Sequence, residues 1–133
     1  MGPSTTTVLV VDPYKEDREY WVHRLHVSSP EYRILEADTG RAALAVCESQ
    51  RVDCVVTELV LPDMSGFEVL VNLVPQANCP TIAVIVLTRL IMYPLIGIAE
   101  RNGAQAYLIK SRSSGDDLDR AIYRALSHLG TTT

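Results

Sequence analysis

The stretch "VVTELVLPDMSG", residues 55–66, runs from a short valine-rich segment into a turn marked by Pro62 and Gly66. A run of that length and β-branched content reads as a strand, and the proline and glycine mark the loop that ends it. Glu58 is a carboxylate placed where this strand gives way to the loop.

Working outward, strands and helices alternate. Upstream, "TTVLVVD" reads as a continuous apolar strand ending at Asp12. Residues 15–27 place Tyr20, Trp21, Arg24 and Leu25 at helical spacing, and "YRILEA" is a second strand. Thr39 caps a helix over "GRAALAVCES", its hydroxyl free to accept from an amide of the first turn. "DCVVTELV" is the third strand, and "GFEVLVNLV" is a helix beginning near Ser65. Downstream, "TIAVIVLT" is a wholly apolar fourth strand. A helix within 91–102 is closed by Asn102-Gly103, and "QAYLIK" is the fifth strand. The last helix covers about 115–129, with Asp116 and Asp117 in its first turn, where the helix dipole favours them. Apolar strands without alternation are those of a parallel sheet covered on both faces. The spacing therefore predicts a doubly wound, five-stranded parallel α/β fold.

The 133 residues suffice for one domain, read as residues 7–129 between tails at 1–6 and 130–133. Apolar residues make up 47% and charged residues 21%, an ordinary folded balance, and the net charge of −4 gives no broad footprint for nucleic acid. No segment approaches the roughly 20 apolar residues of a membrane helix, so no membrane partner is expected. Cys47, Cys54 and Cys79 lie at no metal-like spacing and read as reduced core thiols of a cytoplasmic protein. His23, His26 and His128 lack metal-like companions and read as surface residues.

In sheets of this kind function gathers at the carboxyl ends of the strands. Asp12, Glu58, Thr88 and Lys110 all fall there, bringing two carboxylates, a hydroxyl and an ammonium to one rim. Asp53 stands at the opposite end of its strand, and Asp63 lies in an exposed turn.

With "VLVVD" at 8–12, "LPDMSG" at 61–66, "VLT" at 86–88 and "GAQAYLIK" at 103–110, the chain resembles a receiver domain of a two-component response regulator over essentially its whole length. The resemblance implies a flavodoxin-like sheet of strand order 2-1-3-4-5, a phosphoacceptor at position 58, an acidic pocket with Asp12 as ligand of Mg²⁺, and phosphoryl contacts from Thr88 and Lys110. It implies an aromatic switch at Tyr107, which relays the state to the face of the fourth helix, fifth strand and fifth helix. Its partners are a histidine kinase, an output domain or protein, or a second copy through that face.

Two positions depart from the pattern: the acceptor is Glu58 where the family has aspartate, and Pro13 stands where the family has a second acid. A third is milder, since Ser111 follows Lys110 where the family usually has proline. Glutamate carries its carboxylate one methylene further out, and a displacement of about 1 Å can cost a phosphoryl transfer on the order of a hundredfold. Losing the second acid removes an oxygen from a cation that demands near-octahedral coordination, so no cofactor is expected. These departures predict a phosphorylation-independent interaction module in which Glu58 pairs with Lys110 and bonds Thr88. The alternative is a conventional Mg²⁺-dependent phosphoacceptor, of a response regulator or hybrid histidine kinase, that tolerates glutamate or carries an engineered phosphomimic.

Leu90, Ile91, Met92, Tyr93 and Leu95 leave the start of the fourth helix almost without a polar side, with Pro94 in its first turn. This surface is expected to bind a partner or a second copy. Other chemistries fit less well. A flavin-binding fold needs an anion cradle after the first strand, where "DPYKED" is acidic, and an acid-nucleophile phosphatase needs an acid at Tyr14.

Overall fold

The computed structural model describes residues 5–74 and 81–129, so Cys79 and most of both tails lie outside the described residues. Five strands alternate with five helices: β1 Thr7–Val11, α1 Lys15–Ser28, β2 Arg33–Ala37, α2 Gly40–Ser49, β3 Cys54–Thr57, α3 Gly66–Leu73, β4 Ala83–Thr88, α4 Tyr93–Arg101, β5 Ala106–Ile109 and α5 Gly115–Ser127. The strands pair in parallel, as the apolar runs predict, and in the order β2-β1-β3-β4-β5 that the resemblance implies.

The two-residue period of a strand divides the core in two. Leu9, Val11, Val55, Val84 and Val86 face Ala43 of α2, Val69 and Leu70 of α3, and Ala99 of α4. Val8, Val10, Cys54, Val56 and Ile85 face Trp21 and Leu25 of α1 and Leu118, Ile122 and Ala125 of α5. With both faces covered, β1, β3 and β4 are buried along their whole lengths. Burial also pushes the Cys54 thiol far above its ordinary range, as expected of an inert core cysteine.

Local signals set the helix ends. Thr39, Ser65 and Ser114 each accept an amide of the first turn, and Asp117 returns the bond to Ser114 in a capping box. Asp63 of the β3–α3 loop adds a long-range cap, accepting from Gly40 N–H at 2.9 Å and Arg41 N–H at 2.8 Å. Pro94 lies in the first turn of α4, and Gly103, with φ of 101°, ends that helix in the left-handed region. Three boundaries at the rim need correction: β1 stops at Val11 and β3 at Thr57, so Asp12 and Glu58 are the first residues beyond them, and Lys110 opens a 3₁₀ turn, Lys110–Arg112. The Glu58 and Lys110 side chains bond across the rim there, while Glu58 N–H still pairs with the Val11 carbonyl at 3.0 Å.

Candidate functional site

Because all five strands point one way, Asp12, Glu58, Thr88 and Lys110 arrive at one rim from the ends of β1, β3, β4 and β5. Lys110 Nζ lies 2.6 Å from Asp12 Oδ2, 2.9 Å from Asp17 Oδ2 and 3.0 Å from Glu58 Oε2. An ammonium has three protons, and here three carboxylates take them. Side-chain exposure is 8% for Lys110, 3% for Asp12 and 1% for Glu58, so these charges have only each other and the local dipoles as solvent.

Glu58 is saturated. Its Oε1 accepts from the Thr88 hydroxyl and from Leu59 N–H at 2.8 Å, and its Oε2 faces Lys110 and Arg89 N–H at 3.3 Å. Thr88 Oγ1 in turn accepts from Leu90 N–H at 3.1 Å. Tyr107 packs against the core on the α4 side, and its hydroxyl donates to the Leu90 carbonyl at 3.2 Å. A continuous chain thus runs from Glu58 through Thr88 and Leu90 to Tyr107.

The environment shifts the charges in opposite senses. Burial raises the Asp12 pKa, and the bonds from Lys110 and Tyr14 N–H only partly offset it. Burial works to lower the Lys110 pKa, but its bonds to Asp12, Asp17 and Glu58 outweigh that and leave it raised. For Asp17, burial is overcome by bonds from Arg89 and Lys110, which leave its pKa lowered. Tyr107 is raised, first by burial and then by the charge of Glu58.

Asp17, Arg89 and Tyr14 were not among the residues expected at the site. Arg89 pairs with Asp17 at 3.0 Å, and its guanidinium lies 3.7 Å from the centre of the Tyr14 ring, joining the β1–α1 loop to the β4–α4 loop beside the rim. Asp17 is the third residue of α1 and reads in sequence as an ordinary first-turn acid. Next to it a cavity of about 390 Å³ is lined by Tyr20, Trp21, Arg89 and Lys110.

This donor set does not fit Mg²⁺, the ion the resemblance implies. Asp12 Oδ2, Asp17 Oδ2 and Glu58 Oε2 all converge on the Lys110 ammonium, Asp12 Oδ1 accepts from Tyr14 N–H at 2.9 Å, and Pro13 contributes no oxygen from a side chain. A small divalent ion needs several oxygens turned towards one point and clear of a cation.

The surface expected around α4 divides in two. Ile91, Met92 and Tyr93 are 46%, 52% and 67% exposed and sit side by side at the start of the helix. Leu90 and Leu95, expected on the same surface, instead pack half-buried against the core. The turn before Pro94 rolls them under, Leu90 being held by its bonds to Thr88 and Tyr107.

Known proteins share this fold. The family described as the response regulator receiver domain matches residues 8–122. The two-component response regulator ORR3 of rice is 32% identical over 104 residues, covering 77% of this chain and 78% of that protein. A probable cyclic di-GMP phosphodiesterase of Vibrio cholerae is 32% identical over 85 residues, which is 64% of this chain but only 19% of that much longer protein. Among solved structures, the signal receiver domain of an HD domain-containing protein from Pseudomonas fluorescens Pf-5 superposes with a TM-score of 0.83 at 27% identity, covering 96% of this chain and 91% of that one. The chemotaxis response regulator CheY4 of Vibrio cholerae has the same fold, with a TM-score of 0.78 at 24% identity over 92% of this chain and 99% of that one. With the family's pattern spanning the sheet and every strand end of the rim, the chain belongs to the response regulator receiver domain family, the signalling module of two-component systems.

Proposed function

We propose that this receiver domain acts as a phosphorylation-independent interaction module, with Glu58 as a fixed stand-in for a modified acceptor. The observation that carries this reading is the saturation of Glu58. One carboxylate bonds the Thr88 hydroxyl and the Lys110 ammonium, and its chain of bonds reaches Tyr107. The side chain that would attack a phosphoryl donor is instead the acceptor of bonds from four groups. Nucleophilic attack would first have to break a buried ion pair, and no divalent ion is needed to hold the present arrangement. The readout is the exposed apolar start of α4, Ile91, Met92 and Tyr93, whose position depends on Leu90 and therefore on Thr88 and Glu58. Its partners are an output domain, a kinase or a second copy of the chain, in the cytoplasm, with no contact to nucleic acid by this domain.

The deciding experiment is intact mass after incubation with Mg²⁺ and a small phosphodonor, with Glu58→Asp treated alongside. Wild type is expected to stay at its own mass. A phosphoryl adduct on wild-type Glu58 would overturn the proposal and make the domain a conventional acceptor. An adduct on Glu58→Asp alone would mean that the side-chain length is what blocks the pocket.

A further inference from the structure

We infer that the groove between β5 and α5 receives an extended acidic segment of a partner protein, which adds to the sheet as a sixth strand beside β5. Among the described residues β5 has one neighbour in the sheet, β4, and all four of its residues are half-exposed. Gln105 N–H bonds the Val84 carbonyl at 2.8 Å, and the parallel ladder pairs Ala106 with Ile85 and Leu108 with Leu87. Hydrogen bonding alternates along such a strand, so the backbone groups of Ala106 and Leu108 point to the open edge. Those same two residues line a groove of about 520 Å³ whose opposite wall is α5. An unpaired edge of this kind is a template for another strand.

Charge says which strand. The groove gathers the guanidiniums of Arg112, Arg120 and Arg124 against a single carboxylate, Asp117. That carboxylate is already committed, to Ser114 N–H at 2.8 Å and to Arg120 at 2.7 Å. None of the ion pairs among the described residues involves Arg124. A net positive groove on a chain of net charge −4 is a local reversal, and it selects for carboxylates on a partner. Arg112 donates to the Tyr93 hydroxyl at 3.2 Å, so the exposed apolar start of α4 lies beside one end of the groove. The matching segment therefore has acidic residues at alternate positions followed by an apolar anchor. Nucleic acid fits less well, because its phosphates offer no strand edge to Ala106 and Leu108 and the chain as a whole carries a net charge of −4.

The inference rests on the reading of the domain as an interaction module, and its test leaves the Glu58 site untouched. The probe is a capped nonapeptide alternating glutamate and threonine, with a lysine-threonine peptide of equal length as control, titrated into the whole chain labelled with ¹⁵N. The acidic peptide is expected to shift the amides of β5 and α5 and to slow hydrogen exchange at Ala106 and Leu108. Its affinity is expected to fall about tenfold in the Arg112→Gln, Arg120→Gln, Arg124→Gln triple variant, since three exposed charge contacts are worth little singly but act together. Unchanged exchange at Ala106 and Leu108 in wild type would overturn strand addition even if the triple variant did not fold. Equal binding of the lysine peptide, or displacement by a short DNA duplex, would overturn the acidic-partner assignment. A failure here would leave the phosphodonor experiment on Glu58 standing on its own.

Discussion

Replacing Lys110 by methionine isolates the interaction that organises the rim. Methionine keeps most of the stem but removes the ammonium that Asp12, Asp17 and Glu58 share. Asp17 keeps Arg89, so the uncompensated charges are Asp12 and Glu58, both almost wholly buried. Breaking a buried pair by removing one partner costs about 3–5 kcal/mol. With a urea slope of roughly 2 kcal/mol per M for a domain of this size, the unfolding midpoint should fall by about 2 M at pH 8. The deficit should itself depend on pH. A buried Asp12 with a raised pKa favours its neutral form in the folded state, so protonation stabilises the fold as pH drops below that raised value towards the ordinary 3.8. Without Lys110 that shift grows, and a proton substitutes for the ammonium. The deficit at pH 5 should therefore be smaller than at pH 8, with a limiting slope of about 1.4 kcal/mol per pH unit. Fluorescence of Trp21, buried and the protein's one tryptophan, reports unfolding at both pH values. Adding Glu58→Gln to Lys110→Met should recover part of the loss, because the two residues are directly paired. A deficit under about 1 kcal/mol at pH 8, or one equal at the two pH values, would refute the assignment of Lys110 as the shared counter-charge.

Four further outcomes are expected. The Lys110 pKa is raised, so its stabilisation is fully present below the ordinary 10.5 and is lost as pH climbs through the raised value; urea midpoints of wild type and Lys110→Met should converge above that pH. Gly66→Ala should cost roughly 1–3 kcal/mol in urea unfolding, because its Cβ would lie 2.5 Å from the Glu58 carbonyl oxygen and 2.8 Å from Leu59 Cα, both backbone atoms. Gly97→Ala, facing only the flexible tip of Arg101 at 3.3 Å within α4, should instead stabilise by roughly 0.5–1 kcal/mol. Ile91→Asp with Tyr93→Asp should leave the unfolding midpoint within about 0.5 kcal/mol of wild type while abolishing self-association or partner capture in sedimentation velocity, since both side chains are exposed.

Much of this architecture can be read from the chain alone because local and global signals agree. The unbroken apolar runs of β1, β3 and β4 have one stable setting, between two helical layers. Thr39, Ser65, Ser114 and Gly103 mark helix ends through chemistry confined to a few residues. Asp12, Glu58, Thr88 and Lys110 are found together because strand ends in a parallel sheet converge whatever the loops do. Asp17 and Arg89 were not legible in the same way. Their partners lie 93 and 72 residues away, and an acid in a first helical turn or an arginine after a strand needs no such partner to be ordinary. Leu90 and Leu95 failed for a related reason. Composition marked the start of α4 as too apolar for a surface, but only the turn into Pro94 decides which of these side chains rolls under.

The tether from Asp63 to Gly40 and Arg41 bears on the order in which the molecule opens. The loop that follows Glu58 cannot lift away without baring two amides of α2, and Gly66 is wedged against the backbone of Glu58 and Leu59 beneath it. Loop and helix therefore form one cooperative opening unit. Gly40 and Arg41 should exchange their hydrogens in step with the loop rather than with the frayed end of a helix. Two amides more than twenty residues upstream in sequence thus serve as a clock for motion at the rim.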